Sequence, residues 1–184
     1  MREGCAGELA GGLARNERGV ALIEFTMVFP LLIVLFLGLV EFSQALAVQR
    51  KVSNAAATIA DLIAQMPKVT VADLNNIAKV AETLLQPYSA QELALVVTSV
   101  EADTDNRRTI VGWSFARGSG AAARPKGASY GLPRGLTEAS SSVIMTEASY
   151  SFRPTMAYFL TGTIRLTGIG YFRPRASRVV VKLD

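Results

Sequence analysis

The stretch from Val20 to Val40 holds 21 residues and a single charge, Glu24. As a helix rising 1.5 Å per residue it would be about 31 Å long, and the hydrocarbon core of a bilayer is about 30 Å thick. A helix inside a water-soluble core rarely needs so long a run of Leu, Ile, Val and Phe. The expectation is therefore a transmembrane helix, and the rest of the chain has to be arranged around it. Pro30 lies within the run. Spans tolerate proline better than water-exposed helices do, and it is expected to bend the axis. A removed secretory signal fits less well. Its apolar core would be about 7–15 residues long, with a small-x-small cleavage site after it. Here a longer run is followed by Glu41-Phe42-Ser43-Gln44.

Arg15 and Arg18 flank the run closely on its amino-terminal side, while Arg50 and Lys51 come about ten residues beyond the other end. Counting basic residues near the ends favours a cytoplasmic amino terminus by a narrow margin. The short leader, residues 1–19, and the large part after the span agree with that choice.

Composition removes several functions. There is no His, the commonest general base and a common zinc ligand. The one Cys, Cys5, cannot form an internal disulfide, and it precedes the apolar run, where a lipid-attachment cysteine would have to follow it. No phosphate-binding loop, metal set or nucleophile–base pair stands out, so neither an enzyme nor a cofactor is expected. Gly118-Ser119-Gly120 has no helix after it that would make a phosphate cradle. Asp103 and Asp105 could touch a cation, but their loop offers no further ligands, so no metal site is assigned.

Beyond the span, Phe42, Ala45, Val52, Ala56, Ile59, Ile63 and Met66 continue one apolar stripe, with Gln49 as its gap. Ala55-Ala56-Ala57, Ala60 and Ala64 keep this part slim, so that another backbone can approach. Pro67 is expected to stop the helix. Residues 41–66 thus read as an amphipathic continuation, packing either on its own domain or on other subunits. Thr70-x-x-Asp73 is a capping-box start for a second helix carrying Leu74, Ile77, Ala78, Ala81, Leu84 and Leu85 and ending near Gln86-Pro87. Residues 93–101 and 109–115, joined by Ala-Asp-Thr-Asp-Asn-Arg-Arg, read as a hairpin, with Val111, Trp113 and Phe115 on one core-facing side. Residues 116–142, rich in Gly, form a long loop or a poorly ordered excursion. Residues 143–152, 163–172 and 178–183 read as three more strands. Phe-Arg-Pro occurs at Phe152 and Phe172 and reads as two strand ends. The fold class is α+β: a long transmembrane-plus-amphipathic helix, a second helix, and an antiparallel sheet of about five strands, with residues 67–184 as one domain.

Charge is unevenly placed. Residues 41–106 carry four basic and eight acidic side chains, net −4, while residues 107–184 carry twelve basic and three acidic, net +9. This describes a solvated basic sheet surface, or complementarity to acidic partners or to anionic membrane lipid. The basic residues are scattered and no nucleic-acid motif is present, so nucleic acid is not an expected partner.

Glu24 is the remaining puzzle. It sits about 7 Å into the apolar run, where a carboxylate either snorkels to the headgroups or needs a partner. A cut between Gly19 and Val20 would give Val20 a free α-ammonium about one turn away, and each charge would offset the other's burial. Gly19, four apolar residues and Glu24-Phe25 resemble the processing site of type IV prepilins. Residues 15–64 as a set are similar to the TadE-like family of the tight-adherence (Flp) pilus system: Arg15 and Arg18, Gly19, Glu24-Phe25, Pro30, and Gly38-x-x-Glu41-Phe42. The stretch from Tyr150 to Ser177, with its Tyr-x-Phe-x-Pro and Tyr-x-Arg-Pro-Arg patterns, resembles the carboxy-terminal end of many such proteins.

The resemblance implies a pilin-like (pseudopilin) subunit or accessory factor of pilus assembly, anchored in a bacterial inner membrane with a periplasmic domain. It implies trimming by a prepilin peptidase after Gly19, with Glu24 and Phe25 serving helix packing and pairing with the new amino terminus. Implied partners are membrane lipid, the peptidase, and other Tad pilus components or pilin-like subunits. The alternative from the residues alone is an uncut, signal-anchored periplasmic binding module with its site on the sheet.

Overall fold

The computed structural model describes residues 17–133, 135–154, 159 and 161–183. Arg15 and Cys5 lie outside the described residues. Helix α1, Glu17–Ala64, is continuous through Pro30 and past the end of the apolar run. Its two halves live in different surroundings. From Val20 to Leu39 large apolar side chains are exposed, whereas Val48, Val52, Ala55, Ala56, Ile59, Ala60, Ile63 and Ala64 are buried. The amphipathic continuation therefore packs on its own domain. The stripe begins later than its sequence suggests: Phe42 is 56% exposed, and Val48 is the first apolar side chain fully covered. Gln49 donates from Nε2 to the Thr167 carbonyl at 2.6 Å, so the gap in the stripe is a polar tie to the sheet.

Helix α1 stops at Ala64, just before Pro67, and its end is satisfied by the chain's last segment. The Arg175 amide donates to the Ala64 carbonyl at 2.9 Å, and the Arg175 guanidinium reaches Asp61 at 2.8 Å. Strand β1 (Lys68–Thr70) leads into α2 (Val71–Leu84). Here the capping box is complete. Asp73 N donates to Thr70 Oγ1 at 3.2 Å and Thr70 N to Asp73 Oδ2 at 2.9 Å, satisfying two amides that a helix start leaves orphaned. Leu74, Ala78 and Ala81 form the buried side of α2, and Leu85 just after it is buried too.

The main sheet has four antiparallel strands in the order β3-β2-β4-β5. They are β2 (Leu93–Ala102), β3 (Thr109–Arg117), β4 (Ser142–Phe152) and β5 (Ile164–Phe172). Strands β2 and β3 form the expected hairpin, with a bulge where Gly112 interrupts the register between Ser99–Trp113 and Val100–Val111. Both Phe-Arg-Pro copies fall at strand ends, Phe152 closing β4 and Phe172 closing β5.

The count of about five antiparallel strands needs correction. The last stretch forms only a short strand, β6 (Val181–Leu183), and pairs in parallel with β1. Pro174 removes a ladder donor just after β5, and the segment crosses over the open carbonyl end of α1. The loop at 116–142 is not a loose excursion either. Val111 N donates to Ala128 O, and Gly127 N to Val111 O, each at 2.8 Å, and Tyr130 N reaches Thr109 O at 3.0 Å. This segment therefore covers the outer edge of β3, which would otherwise be open for pairing.

The core lies between α1, α2 and one face of the sheet. Leu93, Leu95, Val97, Trp113, Ile144, Ala148, Tyr150 and Phe152 meet the buried side of the helices. Trp113 donates from Nε1 to the Val180 carbonyl at 2.7 Å and so ties the tail to the core. At β5 the approach of α1 is closest. A Cβ on Gly168 would lie 2.6 Å from Ser53 Cα, and one on Gly170 2.7 Å from Ala57 Cα. The slim alanine stretch finds its matching backbone in these two glycines.

Candidate functional site: the exposed half-helix and its junction with the domain

The described part of α1 begins at Glu17, and the Gly19–Val20 peptide lies within the helix. A glycine within a helix weakens it by up to about 1 kcal/mol relative to alanine. A Cβ at Gly19 would meet nothing within 4 Å. No steric demand from the described residues explains the glycine.

Glu24 lies four residues after Val20, on the next turn of the same face. Its side chain is exposed, as is that of Phe25. Phe25 stacks on Phe29 with ring centroids 5.2 Å apart. Thr26 Oγ1 turns back to the Leu22 carbonyl at 2.7 Å, so this hydroxyl adds no unpaired group to the apolar surface. Gly19, Val20, Glu24 and Phe25 are thus gathered on about two turns of the exposed half of the helix. Arg18 lies in the same turn as Gly19; its side chain is not among the described ones.

At the other end of the apolar run the helix meets the domain. Glu41 is only 2% exposed, an unusual place for a carboxylate, and its Oε2 accepts the Phe159 amide at 3.1 Å. The Phe159 ring rests 3.5 Å from where a Cβ of Gly38 would be. The Gly38-x-x-Glu41 pair therefore holds Phe159 against the helix. In the sequence Glu41 stands only as a flank of the apolar run and a motif residue; the signal for this role was a second carboxylate so close to the run. Beside it, Leu39, Val40, Ser43, Gln44, Ala47 and Tyr88 line a shallow open groove.

The opposite face of the sheet carries the polar network. Arg124 reaches Glu147 at 2.5 Å and Thr98 Oγ1 at 3.1 Å, and its guanidinium lies 4.9 Å from the centre of the Tyr130 ring. Burial, and then the Glu147 carboxylate, push the Tyr130 hydroxyl above its ordinary value. Nearby, Val96, Ala121, Glu147, Arg165, Thr167 and Ile169 line an open groove of about 310 Å³. No group of three or more metal-ligating side chains exists among the described residues. Asp103 is engaged in its turn, accepting the Thr104 amide at 2.7 Å. The charge asymmetry is partly met within the chain, since Arg117 pairs with Glu82 and Arg175 with Asp61 across the two halves.

Fold and site define an α+β domain carried on the second half of a helix whose first half is long and apolar enough to cross a membrane. Within that helix, residues 19–61 match the family model of TadE-like proteins. The match takes in Gly19, Glu24, Phe25, Pro30 and Glu41 and ends before the sheet, so it does not reach the stretch from Tyr150 to Ser177. No curated protein and no solved structure matches the chain.

Proposed function

We propose that this chain is a membrane-anchored, pilin-like subunit or accessory factor of a Tad/Flp pilus. A prepilin peptidase cuts between Gly19 and Val20. Residues 20–40 hold the protein in a bacterial inner membrane, with Arg15 and Arg18 keeping the leader cytoplasmic and the sheet domain periplasmic. The new α-ammonium of Val20 pairs with Glu24, in the same chain or a neighbour, and Phe25 joins the packing between helices. Other pilus components contact the domain, and no catalysis is assigned to it.

One observation carries this reading. One face of the helix's second half is buried by its own domain, while the first half exposes apolar side chains and one carboxylate a turn away from Val20. The TadE-like match over that same half-helix supports it. An anchor alone explains the apolar residues and gives no reason for Glu24 or for Gly19. The test is intact mass and amino-terminal sequencing after co-expression with a prepilin peptidase. A chain beginning at Val20 is expected. A chain that keeps residues 1–19 under those conditions returns the protein to the uncut, anchored binding module, whose candidate site would be the groove at Val96 and Ile169.

A further inference from the structure

The junction between helix and domain is where the bilayer surface would fall, and it has the composition of a membrane interface. Glycines 168 and 170 rest on Ser53 and Ala57, so β5 and α1 climb away from the apolar run together. Descending β5 at about 3.3 Å per residue, against 1.5 Å along the helix, puts the Phe152–Ile164 pair near the level of residue 44. Arg153 and Arg165, both exposed, then lie roughly 3 Å and roughly 10 Å above the end of the run at Val40. Below them, Phe159 is held at the level of Gly38 by the Glu41 carboxylate and is still 48% exposed. Phe42 and Leu46 continue the exposed apolar surface beyond Val40. Glu92, near the start of β2, is the partly exposed acid at this end of the sheet, and Glu41 is buried.

From this layering we infer that the lower rim of the domain is seated on anionic lipid. Phe159 and Phe42 enter the headgroup zone, and Arg153 and Arg165 meet the lipid phosphates. Apolar side chains such as Phe that dip into the headgroup–acyl boundary, with arginines on the polar side above them, suit an anionic bilayer surface. The rim would fix the tilt of the domain over its anchor, with Glu41 as the positioning residue that keeps Phe159 at depth. The inference rests on residues 20–40 spanning the membrane.

The test uses the full chain in a Cys5→Ser background, with single spin labels at Leu31→Cys, Phe159→Cys or Asp105→Cys. It is reconstituted in phosphatidylcholine vesicles with or without phosphatidylglycerol. Collision with oxygen against a water-soluble nickel chelate reports depth. Position 31 is expected to read as lipid, position 105 as water, and position 159 as interface, more strongly with the anionic lipid. An arginine near an anionic surface strengthens association about fivefold, so Arg153→Gln with Arg165→Gln should lower the ratio at position 159 at least about twofold. A position 159 that reads like 105 while 31 reads as lipid overturns the rim and leaves the span standing. A position 31 that reads as water overturns both. Spin–spin broadening at 159 that disappears on dilution with unlabelled chain assigns the surface to a second copy and overturns the lipid reading.

Discussion

The approach of α1 to β5 can be tested by adding one methyl group. In Gly170→Ala the new Cβ would stand 2.7 Å from Ala57 Cα, 2.8 Å from the Ala56 carbonyl oxygen and 2.9 Å from its carbon. All three are backbone atoms of a long helix, so no side chain can rotate away. Ordinary carbon–carbon contact is about 3.5–4.0 Å, so helix and strand must part by roughly 1 Å. Overpacking of this kind costs about 1–3 kcal/mol, and the rigid obstruction puts this case in the upper half. Gly131→Ala is the control, because a Cβ there meets nothing within 4 Å. It should be neutral or slightly stabilising. The assay is urea unfolding of the full chain in detergent, followed by the fluorescence of Trp113, the single tryptophan. Because the obstruction is backbone, Ala57→Gly should not rescue Gly170→Ala. Equal midpoints for Gly170→Ala and Gly131→Ala, or rescue by Ala57→Gly, would show that helix and strand do not meet at this distance.

Asp73 is held below its ordinary carboxylate value by the side-chain hydrogen bond and then the backbone hydrogen bond from Thr70. A depressed folded value means that its stabilisation is complete above the unfolded value, near 3.8, and is lost as pH falls through the folded one. Asp73→Asn should therefore be less stable than the wild type at neutral pH, with the gap closing in acid; a gap independent of pH would refute the cap's ionic character. The Thr146 hydroxyl is fully buried with no hydrogen-bond partner among the described residues. Thr146→Val keeps the shape, removes the unsatisfied group and should raise stability by up to about 1 kcal/mol, read as a higher urea midpoint. Glu24→Ala should leave membrane insertion intact and reduce piliation in a strain that depends on this gene; full piliation would remove the pairing role given to Glu24.

Much of this fold is legible because its signals are local. The apolar run, the Thr70–Asp73 cap and the hairpin around 103–108 each need only neighbours in sequence to be recognised. The alanines at 55–57 announced a close approach but could not name the partner, since Gly168 and Gly170 lie more than a hundred residues away. The segment at 116–142 looked loose because its hydrogen bonds go to the edge of β3 and leave no periodicity in its own residues. The short tail strand was misplaced for a related reason. Its pairing is set by the open end of α1 and by β1, neither of which is visible from the apolar pattern at 178–183. Gly19, Val20, Glu24 and Phe25 fall within seven residues of sequence, so proposing them as a set needs no knowledge of the fold. The role of Glu41 was not legible, because it depends on Phe159, which only the fold brings to it.

The exposed half-helix sets the energetic terms of any assembly. Fourteen large apolar side chains from Val20 to Leu39 are each exposed by at least 42%. Even at about 1 kcal/mol apiece, keeping them in water costs on the order of the whole net stability of a folded domain, about 5–15 kcal/mol. Something must cover them, and lipid does so as well as protein does. Inside a bilayer, burying Leu against Leu therefore gives no reason for one helix to choose another. That choice has to come from close packing or from polar groups, and in this run the charged group is Glu24. Paired with an α-ammonium at Val20, the carboxylate loses its cost at depth only when the partner is in place. A neutral residue at position 24 would leave the anchor equally greasy and remove that preference, which is why the proposed assembly depends on the one charge in the span.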